Sequence, residues 1–151
     1  MKTNATTYTL NTWPSDKSSV WNDLFMIGFD KLWNTTVSNN GFPFYNVVKI
    51  NDDEFQVEIA LSGFAAEDVE IQEHKSSLLI TSNRNHADNK EYLYKGISTR
   101  GFTRTFALAE HVHVTDARME NGMLMIALRR EVPEEDKPKT IAISNIKQLI
   151  K

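Results

Sequence analysis

Glu54-Phe55-Gln56-Val57-Glu58-Ile59-Ala60-Leu61 alternates without a break, with Phe55, Val57, Ile59 and Leu61 on one side and Glu54, Gln56, Glu58 and Ala60 on the other. Successive side chains of a strand point to opposite faces, so a period of two marks a strand with one face in a core and the other in water. Working outward, shorter runs of the same kind appear at Val69–Glu73 and Leu78–Ser82, joined by the polar turn Glu73-His74-Lys75-Ser76-Ser77. Gly101–Leu108 and Met123–Arg129 continue the series, the latter preceded by Glu120-Asn121-Gly122. Asn-Gly is a strong hairpin signal because both residues tolerate positive φ. Strands of this length and spacing, with no long helix between them, predict an all-β fold, an immunoglobulin-like antiparallel β-sandwich.

The rest of the composition narrows the function. A chain of 151 residues suits one domain with a proper core, and 40% hydrophobic with 25% charged residues is a globular balance. No run approaches the roughly 20 apolar residues of a spanning helix. Met1-Lys2-Thr3-Asn4 leads into Asn- and Thr-rich sequence without an apolar signal-peptide core. There is no cysteine, hence no disulfide framework and no thiolate chemistry, which fits a cytoplasmic location. The net charge of −3 is spread among both signs, and Arg129-Arg130 is followed at once by Glu131, so neither nucleic acid nor membrane is an expected partner.

Three zones follow: an arm at residues 1–41, the sandwich at 42–131, and a tail at 132–151. The arm is rich in Asn, Ser and Thr yet holds all three tryptophans, Trp13, Trp21 and Trp33. Within it the pattern predicts a helix over Val20–Asn34, capped by Ser18 or Ser19. Its apolar residues, among them Trp21, Leu24, Phe25, Ile27, Phe29, Leu32 and Trp33, cover too much of the circumference for a one-sided surface helix. Gly28 weakens it by about 1 kcal/mol relative to Ala. One reading docks this helix on its own chain; the preferred one is a sticky arm for oligomerisation and target binding. In the tail, Val132–Lys139 is charged, contains two prolines and reads as an extended linker to Ile141-Ala142-Ile143.

Inside the sandwich zone, the polar loop Arg84–Lys90 carries the short aromatic strand Tyr92-Leu93-Tyr94-Lys95-Gly96-Ile97. A strand on a long loop can reach away from its own sheet, a geometry suited to exchange with a partner chain. Candidate chemistry is sparse. His111 and His113 share a face if Glu110–Val114 is extended, but two imidazoles and Glu110 fall short of a zinc set, and two solvated histidines are the expectation. His74 and His86 read as loop residues. Gly63, Gly96, Gly101 and Gly122 are isolated turn glycines, so no phosphate cradle, cofactor or catalytic group is expected. Arg104 alone breaks its local rule, sharing a strand face with Phe102, Phe106 and Leu108. A guanidinium there either snorkels past the sheet edge into water or pairs with an acid across a subunit interface.

Several of these stretches together resemble the small heat shock protein (Hsp20/α-crystallin) family across roughly Phe42 to Ile143. Ala117-Arg118-Met119-Glu120-Asn121-Gly122-Met123-Leu124 is similar to its Ala-x-x-x-Asn-Gly-x-Leu signature. Ile141-Ala142-Ile143 is similar to its C-terminal Ile-x-Ile, and Arg104 falls on its interface arginine in Phe-x-Arg-x-Phe-x-Leu. Tyr92–Ile97 and Leu108–Val114 resemble the bacterial class A, inclusion-body-associated members. Ser62-Gly63 departs from the common Pro-Gly, Ala109 from a common proline, and residues 144–151 extend past the tail usual in that class. The resemblance implies a dimer made by swapping Tyr92–Ile97 into the partner's sheet, with Arg104 at that interface and Ile141 and Ile143 as an oligomerisation tail. It implies homo-oligomers of such dimers that hold unfolding clients without ATP and pass them to ATP-dependent disaggregating chaperones. The alternative is a monomeric β-sandwich co-chaperone or adaptor with one folded partner.

Overall fold

The computed structural model of the chain describes residues 27–28, 41–84 and 88–143. Seven strands follow in order: β1 (Tyr45–Lys49), β2 (Glu54–Ala60), β3 (Glu70–His74), β4 (Ser77–Ser82), β5 (Phe102–Ala107), β6 (Val112–Glu120) and β7 (Met123–Arg130). They form a four-stranded sheet, β1-β2-β7-β6, and a three-stranded sheet, β3-β4-β5, with every pairing antiparallel. This is the expected immunoglobulin-like sandwich.

The alternation in β2 does what its period requires. Phe55, Val57 and Ile59 are buried and stand opposite Leu128, Ile126 and Leu124 of β7. Leu78 and Ile80 of β4, with Phe106 of β5, supply the facing layer. Each such side chain contributes about 1.5–3 kcal/mol on leaving water, which is why the register is fixed: a one-residue slip would turn the whole apolar set outward. Asn121 (φ 51°) and Gly122 (φ 75°) close the β6–β7 hairpin in the left-handed pair that Asn-Gly favours, and Lys75 (φ 53°) turns β3 into β4.

Four features differ from the sequence reading. First, β6 is a full strand although most of its side chains are exposed. As an edge strand it needs only β7 beside it, so it carries no apolar alternation to read. Second, Tyr92–Ile97 is unpaired and exposed, with Leu93, Tyr94 and Ile97 in water. It meets no sheet edge among the described residues, and without an edge there is no ladder. Third, Gly28 has φ +86° after a helical Ile27, so a continuous Val20–Asn34 helix is interrupted there by left-handed backbone. The remainder of that helix lies outside the described residues, as do Trp13, Trp21, Leu24, Phe25, Phe29, Leu32, Trp33 and His86. Fourth, the tail linker is not extended throughout: Glu134–Asp136 forms a 3-10 turn, closed by Asp136 N–H to Pro133 O and a Lys137–Glu134 ion pair.

Candidate functional site

Among the described residues the sandwich leaves two edges of its larger sheet open, and they are built differently. At β1, Ala60 N–H donates to Phe44 O and Ile50 N–H donates to Glu54 O, each at 2.9 Å. Bonded and non-bonded pairs alternate along an antiparallel ladder, so these brackets turn the backbone N–H and C=O of Tyr45 and Val47 away from β2, to the outside. Phe44 and Ile50, at either end of the strand, are 66% and 57% exposed. The edge therefore offers main-chain groups between two apolar brackets.

At β6 the opposite holds. The strand bulges between Val114 and Asp116 and shows Asp116, Arg118 and Glu120 to solvent. Bulges and charges are standard means of blunting an edge. Glu73 of β3 crosses between the sheets: one carboxylate oxygen accepts the Val114 N–H at 2.8 Å, and the other lies 2.9 Å from His113 Nδ1. Burial pushes the Glu73 carboxyl up, but the Val114 amide and His113 outweigh it and hold the group below its ordinary value of 4.5.

Arg104 is 7% exposed, which rules out snorkelling. Its Nη2 donates to the carbonyls of Gly41 at 3.0 Å and Pro43 at 2.9 Å, and the guanidinium lies 5.2 Å from the centre of the Tyr45 ring. The arginine thus fastens the chain just before β1, with Tyr45 edge-on to Phe106 beneath it. Burial raises the Tyr45 hydroxyl pKa despite the opposing pull of Arg104. Arg104 Nε is buried without a hydrogen-bond partner among the described residues.

Of the residues singled out in the sequence, Tyr92, Leu93, Tyr94, Ile97, Ile141 and Ile143 are all exposed, Ile141 and Ile143 at 86% and 98%. Lys95 and Gly96 lie in the same unpaired segment, with Lys95 Nζ 4.9 Å from the Tyr92 ring centre and the Tyr92 hydroxyl donating to Asp88. That bond holds the Asp88 carboxyl down and lifts the Tyr92 hydroxyl. Ile27 is the exception, completely buried in the core. The histidines separate: His111 adopts φ +67° in the turn before β6, so Glu110–Val114 is not extended as a whole, and its Nε2 lies 3.4 Å from Asp136. Among the described residues no three His, Asp or Glu side chains converge as a metal site would.

Sequence reading missed β1 and Glu73. Phe44-Tyr45-Asn46-Val47-Val48-Lys49-Ile50 carries a signal in its aromatic and β-branched residues, but no clean alternation. Glu73 has none, since its partners lie forty residues away in sequence.

Two closed layers, an unblunted edge and apolar segments without a partner among the described residues define a β-sandwich interaction domain. The comparisons identify which kind. Residues 47–144 match the Hsp20/alpha crystallin family, and the chain belongs to that family, one of ATP-independent chaperones rather than enzymes. It is 42% identical over 132 residues to the small heat shock protein HspE of Bradyrhizobium diazoefficiens, covering 85% of this chain and 87% of that one. The small heat shock protein IbpA of Pectobacterium atrosepticum is also 42% identical, over 125 residues, covering 78% and 90%. In structure the chain is similar to the C-terminally truncated small heat shock protein AgsA of Salmonella typhimurium, with a TM-score of 0.55 and 31% identity across 67% of this chain and 98% of that one. The sandwich is an α-crystallin domain.

Proposed function

We propose that this chain is an ATP-independent holdase, a cytoplasmic homo-oligomer built from dimers that binds unfolding proteins and leaves them refoldable by ATP-dependent disaggregating chaperones. The observation that carries the reading is the contrast between a filled core and apolar segments kept in water at Tyr92–Ile97 and Ile141–Ile143. In a stable dimer Tyr92–Ile97 adds to the outward-facing edge of a partner's β1, and Arg104 holds that edge in place. Main-chain bonds supply affinity in such an addition and side-chain pockets supply register.

The tail acts as a reversible latch on a neighbour's sheet edge. Each isoleucine buried contributes about 1.5–3 kcal/mol before ordering costs, so one contact is weak and many together are strong. In this reading residues 1–41 form the arm, 42–131 the sandwich and 132–151 the tail, and the arm's aromatic residues take up clients. Light scattering from a heated client protein, with and without ATP, tests the proposal. Suppression at stoichiometric chain, unchanged by ATP, is expected; a client that aggregates as fast with the chain as without it overturns the reading. Removal of residues 1–41 should abolish suppression and leave the dimer intact.

A further inference from the structure

Ile27 and Gly28 are the described residues in the middle of the arm, and both are tied to the sandwich. The Ile27 side chain is completely buried within the core cluster, and its carbonyl accepts the Ala109 N–H at 2.9 Å. Gly28 follows with φ +86°, and a Cβ placed on it would stand 2.4 Å from Ala109 N, 2.7 Å from Leu108 C and 3.0 Å from Ala107 O. All three are backbone atoms and cannot swing aside. Space and backbone angle therefore demand glycine at this position independently.

We propose that the backbone at Ala107–Ala109, where β5 leaves its sheet, is a seat that accepts an isoleucine followed by glycine, and that the chain's own arm occupies it at rest. The seat discriminates between the two ends of the chain. Ile141 is followed by Ala142, whose Cβ would meet the Ala109 nitrogen, so the tail is excluded and must latch elsewhere. Among the described residues, one isoleucine and one main-chain bond make the contact at the seat, small enough to open without unfolding the sandwich. Resting on the holdase reading, seating withholds the arm from clients until the seat opens.

Hydrogen exchange in the full chain reads the seat directly. The Ala109 amide should be protected, and Gly28→Val should speed its exchange at least tenfold while the amides of β2 and β7 keep their rates. Ile27→Ser, which leaves the glycine in place, should do the same. Ile141→Ser with Ile143→Ser should leave Ala109 unchanged. Equal Ala109 exchange in Gly28→Val and the parent chain overturns the seat, and faster exchange in the tail variant overturns its selectivity. For withholding, Gly28→Val should suppress client aggregation from a lower temperature than the parent; equal onset overturns it. Failure of both chains to suppress at any temperature would instead reject the holdase reading, with the seat still judged by exchange.

Discussion

The two open edges of the larger sheet, β1 and β6, are equally long-range products of one fold, yet they face the solvent with opposite chemistry. β1 turns the main-chain groups of Tyr45 and Val47 outward between exposed Phe44 and Ile50. β6 is bulged and charged, and the donor at Val114 is taken by Glu73. An unguarded edge is a hazard for a solitary domain, because it templates pairing with any extended chain. Retaining one while guarding the other separates the two edges by purpose. β1 is left open, the edge that the proposed dimer would use, and β6 is kept under a carboxylate that must be displaced or rotated before anything adds there.

The sharpest way to break that distinction is Val47→Pro. Proline removes the outward N–H at the middle of β1 but leaves the bonded pairs to β2 at Asn46 and Val48, and an edge strand tolerates it. Sedimentation should show dimers falling to monomers, with at least a tenfold weaker dissociation constant; unchanged mass would mean that the β1 edge is not the dimer contact. Next in size, Ile141→Ala with Ile143→Ala should reduce the assembly to dimers in light scattering while the melting profile of the sandwich holds. Unchanged mass there removes the tail from assembly.

Arg104→Ala acts on the same side of the molecule by a different route. Two carbonyls, of Gly41 and Pro43, would lose a charged donor in a nearly dry place. Hydrogen bonds to charged groups contribute about 1.5–3 kcal/mol each, so a loss of about 3 kcal/mol in denaturant unfolding is expected, with β1 exchange rising before that of β7. A loss under about 1 kcal/mol would show that Arg104 is not what secures the approach to β1.

How much of this was legible in the sequence follows from where each signal resides. Period two in Phe55–Leu61 and the Asn121-Gly122 turn are local physics, and the structure keeps both. The edges were illegible for the same reason: β6 has a polar pattern because it is half solvated, and β1 has a mixed one because its first residue, Tyr45, packs against Phe106 and Arg104. Arg104 was visible as a polar residue on an apolar face, but its acceptors are main-chain carbonyls some sixty residues away, which no side-chain pattern encodes. In the sequence Gly28 is a weak point in a helix. Its actual requirement, close approach to Ala109, exists only once β5 has folded.

The smallest effect concerns the guard on β6. Glu73 has a folded pKa below its ordinary value of 4.5, so its bonds to Val114 and His113 contribute stability that is fully present above that value and lost as pH falls through the lowered one. Glu73→Gln removes the charge at every pH. The variant should therefore be less stable than the parent at neutral pH, by under about 1 kcal/mol because the pair is largely solvated, and the gap should close in acid below the usual carboxylate range. Paired denaturant titrations at neutral and acidic pH measure it. The same variant leaves the Val114 N–H with a weaker acceptor, so its exchange should quicken at neutral pH while that of Leu128, across the ladder on β7, does not. A gap that persists unchanged into acid, with Val114 as protected as before, would leave β6 guarded by its bulge and its charges alone.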